Sequence, residues 1–257
     1  MAGKLYGVGV GPGDPGLLTL KAVQVIKACD VIAVPGKEPE NTVAYQIASG
    51  ACPAIRKKEI LGIHMPMTKD KDRLKKSHAD GARILEAYLD QGKAVAFLTL
   101  GDPTVYSTYI YLHNIVKEAG YETEIVSGVT SFCAAAARLE MDIASKAQQI
   151  HIIPASYQIE EALRLGYEST VFDPTAPEEA PLERDIPEAD GEAPKVLMKA
   201  GGKLPEVKEV LKHHPAEVTM VENCGMEQER IYYGAEQIPE DAGYYTLLFV
   251  KEEGEPL

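Results

Sequence analysis

Strand-length apolar runs alternate with helix-period segments through the first 140 residues, and that alternation leaves few folds open. Leu5–Val10, Val31–Val34 and Val95–Leu98 are short, continuous and apolar, as strands buried on both faces are. Between them, Leu17–Ala28 sets Leu17, Leu20, Ala22, Val23 and Ile26 near one helical face. Residues 41–50 read as a short helix, Arg56–Pro66 as an extended piece, and Asp72–Gln91 as a long amphipathic helix stopped by Gly92. A helix over Tyr106–Ala119, a strand at Thr123–Val126 and an Ala-rich helix through Leu139 follow. The pattern predicts βαβ units and a mostly parallel sheet. After a break near residues 141–147 a second α/β region is expected. It has a strand at 150–154, a helix at 158–165, a strand at 169–172 or 195–199 or both, a helix at 204–213 and a strand at 217–222. The closing runs Arg230–Tyr233 and Tyr244–Val250 look hairpin-like and point to a mixed second sheet. The expected domains are therefore residues 1–143 and 148–257.

Two turns at strand ends stand out. Leu98-Thr99-Leu100 runs into Gly101-Asp102-Pro103, where a helix is about to start. In an open α/β sheet, small ligands bind at such carboxyl ends. The other turn, Gly11-Pro12-Gly13-Asp14-Pro15-Gly16, spells GxGxxG between a strand and a helix. The dinucleotide fingerprint works by aiming backbone N–H groups at a pyrophosphate. Pro12 and Pro15 remove two of those donors, and Asp14 puts a carboxylate where the diphosphate would lie. Three readings stay open for this loop: the floor of an active-site cleft, a tight turn without a ligand, or a dinucleotide cradle.

Charge and composition narrow the function classes. A net charge of −13 argues against nucleic acid, whose affinity is built from phosphate neutralisation. The charge is uneven: residues 173–194 are Pro-rich, hold eight acids against Arg184 alone, and read as a solvated loop. Residues 56–76 hold eight bases against three acids, so an anionic small molecule remains a candidate ligand. Cys29, Cys52, Cys133 and Cys224 are far apart and form no CxxC pair, which reads as buried free thiols. The six histidines give no metal-ligand spacing; only His213 and His214 are adjacent. GxSxG, HExxH and GxxxxGK[ST] are missing. No apolar run approaches the ~20 residues of a membrane span, and Met1–Lys4 leads straight into a strand-like segment, so no membrane and a cytoplasmic location are expected.

Five segments, in order, resemble the tetrapyrrole (corrin/porphyrin) methyltransferases that use S-adenosylmethionine. They are Gly9–Pro15 with Leu17–Lys21; Gly101-Asp102-Pro103 with Tyr106-Ser107; Gly128–Phe132; Val196–Lys199; and Val221-Glu222-Asn223 with Glu229-Arg230. Met65–Asp70 and Tyr106–His113 are most similar to the C(20)-methyltransferases of cobalamin synthesis, which act on precorrin-2 or cobalt-factor II. The Tyr-Ser-Thr-Tyr wording leans to the cobalt-first, anaerobic branch. The resemblance implies two α/β domains with the active site in the cleft between them, and a homodimer. It implies S-adenosylmethionine as cofactor, S-adenosylhomocysteine as product, and a polycarboxylate tetrapyrrole as substrate. Carried over motif by motif, it implies cofactor contacts at Pro12, Gly101, Asp102, Pro103, Tyr106, Thr130, Ser131, Met198 and Cys224. Uroporphyrinogen-methylating relatives carry a Tyr-Asp-Arg-like run whose Asp is a suggested base; the aligned Val34-Pro35-Gly36-Lys37 has no carboxylate, so that role does not transfer. The alternatives are another enzyme of this fold (a different corrin position, diphthine synthase or an rRNA methyltransferase) or a dinucleotide-binding module.

Several residues carry two readings. Asp102 is an electrostatic neighbour of a sulfonium or an Asx-turn residue that satisfies backbone donors. Tyr106 is a lid on the cofactor or a core aromatic, and Met198 a ligand contact or plain core. His113 donates to a substrate carboxylate or is a satisfied helix histidine. Arg56–Lys76 draws in the substrate's carboxylates or is a solvated helix start with alternating charges. Asp102→Ala and Gly101→Val are expected to weaken cofactor binding while leaving the fold largely intact. No residue stands out as the general base.

Overall fold

Two five-stranded sheets organise the chain in a computed structural model that describes residues 2–146, 148–155, 193–213 and 216–252. The helix expected at 158–165, the strand at 169–172 and nearly all of the acidic stretch 173–194 lie outside the described residues. The chain divides into two units, Met1–Ser131 and Phe132–Leu257.

In the first unit, β1 (Lys4–Gly9), β2 (Val31–Pro35), β3 (Glu59–Ile63), β4 (Val95–Thr99) and β5 (Glu122–Val126) run parallel in the order β3-β2-β4-β1-β5. Strand alternation assigns the faces. Val8, Ile32, Val34, Ala96 and Leu98 pack on one side with α1 (Leu20–Ala28) and α2 (Val43–Ala51). Leu5, Val31, Ala33, Val95 and Phe97 pack on the other with α3 (Lys71–Leu89) and α4 (Tyr109–Glu118). Both faces are covered, which is why these strands read as unbroken apolar runs. Adjacent strands β1 and β4 send their connections to opposite faces, α1 on one and α4 on the other. Their carboxyl ends therefore form the topological switch point of the sheet, the crevice where open α/β sheets take ligands.

Two helices start later than the sequence suggests, each because a hydroxyl takes an early N–H. Helix α1 begins at Leu20 rather than Leu17, since Thr19 Oγ1 accepts from Ala22 N at 3.1 Å and caps it. Thr19→Ala is expected to lower unfolding free energy by about 1 kcal/mol, seen as a drop of roughly 2–4 °C in Tm. Helix α4 begins at Tyr109 rather than Tyr106: Tyr106 has φ 48°, and Ser107 Oγ accepts from Tyr109 N at 3.3 Å.

In the second unit, β6 (His151–Pro154), β7 (Lys195–Met198), β8 (Ala216–Glu222), β9 (Arg230–Tyr233) and β10 (Thr246–Glu252) run in the order β6-β7-β10-β8-β9. Only β6 and β7 pair in parallel, so the sheet is mixed. The last two strands do not form a hairpin with each other: β10 inserts between β7 and β8, and β9 lies at the edge on β8. Burial explains the order. Leu247, Leu248, Phe249 and Val250 are buried on both faces, whereas β9 is exposed or half-buried along its length. Leu197, Val218, Met220 and Leu248 form a core with Leu204, Val207 and Leu211 of α6 (Leu204–His213). Among the described residues no helix is long and apolar enough to cross a membrane.

Candidate functional site

Three loops meet backbone to backbone at the switch point. Gly101 N donates to Gly11 O at 2.8 Å and Gly11 N to Gly101 O at 3.3 Å, so the glycine-rich loop and the Gly101 turn close on each other as an isolated antiparallel bridge. Both glycines sit at positive φ, 77° and 67°, where a side chain is strained. The loop after β5 joins them. A Cβ on Gly128 would lie 2.1 Å from Gly101 O, and one on Gly9 would lie 2.6 Å from Gly128 N. Gly9 and Gly128 are thus needed for close approach rather than for their dihedrals. In the sequence, the glycines of the first strand suggest close backbone approach, whereas Gly128, just past a strand, gives a slighter signal.

Asp102 ties the crossing together. Its Oδ1 accepts from Thr104 N at 2.8 Å and Thr104 Oγ1 at 2.5 Å, while Oδ2 accepts from Gly128 N at 3.0 Å. Burial pushes its pKa up, but the bonds from Thr104, Gly128 and Ser127 outweigh this and hold the carboxyl below its usual value. The turn-residue reading of Asp102 is realised in these bonds, and it extends beyond a local turn because Gly128 belongs to another loop.

Two N–H groups of the GxGxxG loop are already engaged. Asp14 Oδ1 accepts from Gly16 N at 2.7 Å, and Gly11 N is held by Gly101. Helix α1 starts only after Thr19, whose hydroxyl already occupies its first turn. The pyrophosphate cradle of a dinucleotide site is not formed here.

The structure gathers Pro12, Gly101, Asp102, Pro103, Tyr106, Thr130 and Ser131 on the loops after β1, β4 and β5, three adjacent strands. Tyr106 is 47% exposed, so it is not a core aromatic; it sits in a left-handed conformation just past the turn. The Thr130 hydroxyl is buried with no hydrogen-bond partner among the described residues. Ser131 opens α5 (Ser131–Arg138). His113 lies apart from this group, on the buried stripe of α4 with Leu112 and Val116. Its Nδ1 is 3.2 Å from Tyr109 Oη, and burial, then Lys117, lowers its pKa. Of the two readings the sequence leaves open for His113, this is the geometry of a satisfied helix histidine.

In the second unit, Met198 ends β7 and Cys224 follows β8. Both strands register on Leu247 of β10, through Met198 and Val221, so the two residues lie at the same end of the sheet, at or just past the carboxyl ends of β7 and β8. Both are buried, and burial pushes the Cys224 thiol up to about 11. The Glu222-Asn223…Glu229-Arg230 motif is a staple. Arg230 Nη2 lies 2.6 Å from Glu222 Oε2, and Gly243 N donates to Glu222 Oε1 at 2.6 Å. Glu229 takes Arg138 at 2.7 Å and Gly225 N at 2.8 Å, and Asn223 has φ 54°. The pairings were not legible from the spacing alone. Among the described residues no group of three or more His, Cys, Asp or Glu side chains gathers as a metal site.

The N–H groups of Gly11, Gly101 and Gly128 are taken up within the crossing itself; what these loops leave open is the Thr130 hydroxyl, without a partner among the described residues, and the exposed Tyr106 ring. The chain matches the model of the Tetrapyrrole (Corrin/Porphyrin) Methylases over residues 4–238. It is 42% identical over 159 residues to a "probable cobalt-precorrin-2 C(20)-methyltransferase" of Methanocaldococcus jannaschii, a stretch covering 62% of this chain and 66% of that protein, just under two thirds. It is 28% identical over 261 residues to a precorrin-2 C(20)-methyltransferase of Sinorhizobium sp, covering 96% of this chain and 95% of that one. Among solved structures it resembles uroporphyrin-III C-methyl transferase from Thermus thermophilus complexed with S-adenosylhomocysteine, with a TM-score of 0.63, 20% identity and coverage of 97% and 98%. That last likeness speaks to the fold.

Proposed function

The chain belongs to the tetrapyrrole (corrin/porphyrin) methylases, and on that premise we propose that it is an S-adenosylmethionine-dependent methyltransferase acting on carbon 20 of a precorrin-2-type tetrapyrrole in cobalamin synthesis. The observation that carries the reading is the backbone crossing of Gly9, Gly101 and Gly128 at the switch point, with the Thr130 hydroxyl beside it left without a partner among the described residues. The position on the tetrapyrrole and the preference for the cobalt-loaded form rest on the two named relatives, the more identical of which carries cobalt-precorrin-2 in its name.

S-adenosylmethionine supplies an activated methyl on a sulfonium sulfur. Displacement at that methyl requires sulfur, methyl carbon and acceptor carbon in line, and alignment is the protein's main contribution. The new bond forms from carbon 20, the methyl–sulfur bond breaks with its electron pair going to sulfur, and the proton on carbon 20 leaves to a weak base or water. On this reading Gly101 and Gly11 fix the turn, Asp102 holds it against the next loop, and Tyr106 covers the ligand. The Thr130 hydroxyl takes a polar atom of the cofactor. Pro12, Pro103 and Ser131 complete the proposed contacts of the first unit, while Met198 and Cys224 rest on the motif resemblance alone. A homodimer and a cytoplasmic location belong to the same proposal, and light scattering of the purified chain tests the first.

The deciding experiment is incubation with methyl-labelled S-adenosylmethionine and either precorrin-2 or cobalt-factor II. Label is expected in the tetrapyrrole, at a higher rate with the cobalt form. Absence of label with both substrates overturns the assignment.

A further inference from the structure

The basic stretch of the sequence is cut in two by β3, and only one part faces the ligand end of the sheet. Arg56 and Lys57 lie on the 3-10 turn Pro53–Lys57 before β3, at the amino end of the strand. Lys58 is already engaged: its Nζ donates to Lys27 O at 2.9 Å and Cys29 O at 2.5 Å. Five strand residues later, roughly 16 Å along the strand direction, the chain emerges at the carboxyl end. There it carries Lys69, Lys71, Arg73, Lys75 and Lys76, all exposed and, among the described residues, without an ion pair.

This cluster opposes local stability. Cations in the first turns of a helix face the positive end of its dipole. Two acids offset them only in part: Asp70 caps the helix, accepting from Asp72 N at 3.0 Å and Arg73 N at 3.1 Å, and Asp72 lies in the first turn, against five bases. The cluster also stands in a chain of net charge −13. The first seven residues of α3 are exposed or half-buried, and full burial begins only at His78, so this end of the helix is the least covered.

A second feature lies on the same stripe. Lys71, Lys75 and His78 are spaced by four and then three residues and share one helix face. His78 is 9% exposed, its Nε2 has no hydrogen-bond partner among the described residues, and its ring stacks on Tyr111 at 4.7 Å and 6°. Tyr111, on α4, is 53% exposed. Cations thus lead along one face to a flat aromatic pair with one open side. The loop before α3 is tied to the cofactor turn's own helix, Thr108 Oγ1 lying 3.6 Å from Met65 Sδ.

We propose that this stripe is the subsite that holds the carboxylate arms of a flat polycarboxylate tetrapyrrole: Lys71 and Lys75 pair with side-arm carboxylates, Tyr111 packs on the ring edge, and Arg56–Lys58 take no part. This deepens the assigned methyl transfer and rests on it for the identity of the ligand. The cations supply charge pairing, and the stacked pair sets how far the macrocycle slides along α3.

The test uses the intact chain and two stable porphyrins, uroporphyrin III with carboxylates on every side arm and coproporphyrin III with half as many. Binding is read by fluorescence at several salt concentrations, with S-adenosylhomocysteine titrated separately. Lys71→Gln/Lys75→Gln is expected to weaken uroporphyrin binding about tenfold or more and to flatten its salt dependence. Binding of S-adenosylhomocysteine should stay within twofold, and Arg56→Gln/Lys57→Gln should match the wild type. Tyr111→Leu is expected to weaken both porphyrins without changing the salt slope. Failure of the wild-type chain to bind uroporphyrin, equal affinity in the Lys71/Lys75 variant, or an equal loss in the Arg56/Lys57 variant overturns the subsite. Loss of uroporphyrin binding in the Lys71/Lys75 variant of a protein that transfers no methyl group supports the subsite and removes the assigned reaction, so the two failures are distinguishable.

Discussion

Gly128→Ala is expected to lower the unfolding free energy by about 3 kcal/mol and to abolish S-adenosylhomocysteine binding. The added methyl carbon would sit 2.1 Å from Gly101 O and 2.8 Å from the Gly9 backbone. Neither neighbour is a side chain that could swing away. Gly101 O already accepts from Gly11 N, and β1, which ends at Gly9, is held on both sides by β4 and β5. Relief therefore requires the loop after β5 to move off, which breaks the Gly128 N–Asp102 bond and displaces Thr130. For a chain of this size the loss corresponds to a drop of roughly 6–12 °C in Tm. Gly120→Ala serves as the control. Gly120 is also a glycine at positive φ, 94°, but nothing lies within 4 Å of its added carbon, so its cost is dihedral strain alone and its ligand affinity should be unchanged. Calorimetric titration of both variants separates crowding at the crossing from the loss of a glycine; ligand binding retained in Gly128→Ala would show that the crossing does not shape the site.

The difference between those two glycines marks how much could be read beforehand. The βαβ alternation was legible because strands buried on both faces leave continuous apolar runs, and β2 and β4 are such runs. The turn at Gly101–Pro103 was legible because glycine, a short acid and proline are turn residues wherever they fall. Which residues then touch was not legible, since closeness across a sheet depends on strand order, and β1, β4 and β5 come together although helices and two further strands separate them in sequence. The same limit explains the basic segment, where residues 56–76 form one block of charge along the chain and two locations in space. It explains the last two strands as well, for adjacency in sequence suggested a hairpin and burial of β10 on both faces overrode it. His113 was ambiguous because a helix histidine announces its face only through its neighbours, and Leu112 and Val116 place it inside.

Asp102→Ala is expected to cost about 2–3 kcal/mol at pH 7, beyond its effect on cofactor affinity. From sequence alone this substitution reads as one that spares the fold. The bonds argue otherwise: its removal strands Gly128 N–H, Thr104 N–H and the Thr104 hydroxyl in a site that leaves Asp102 7% exposed. Asp102→Asn keeps the shape but turns one acceptor into a donor facing another donor, so about 1–2 kcal/mol is expected. The charge gives the loss a pH signature. The carboxyl is held below its ordinary value in the folded chain, so its contribution is complete above about pH 4, where the unfolded carboxyl is already ionised, and declines as pH falls through the lower folded value. The stability gap between wild type and Asp102→Asn should therefore be widest at neutral pH and narrow below pH 4. Gly101→Val differs in kind. Its φ of 67° strains a β-branched side chain by about 1–2 kcal/mol, while the nearest atom to an added carbon is 4.0 Å away, so its penalty should not vary with pH. Denaturant melts of the wild type and the three variants at pH 7 and pH 3 decide the matter. A gap for Asp102→Asn that is the same at both values would mean that the ionised carboxylate is not what joins the Gly101–Pro103 turn to the loop after β5.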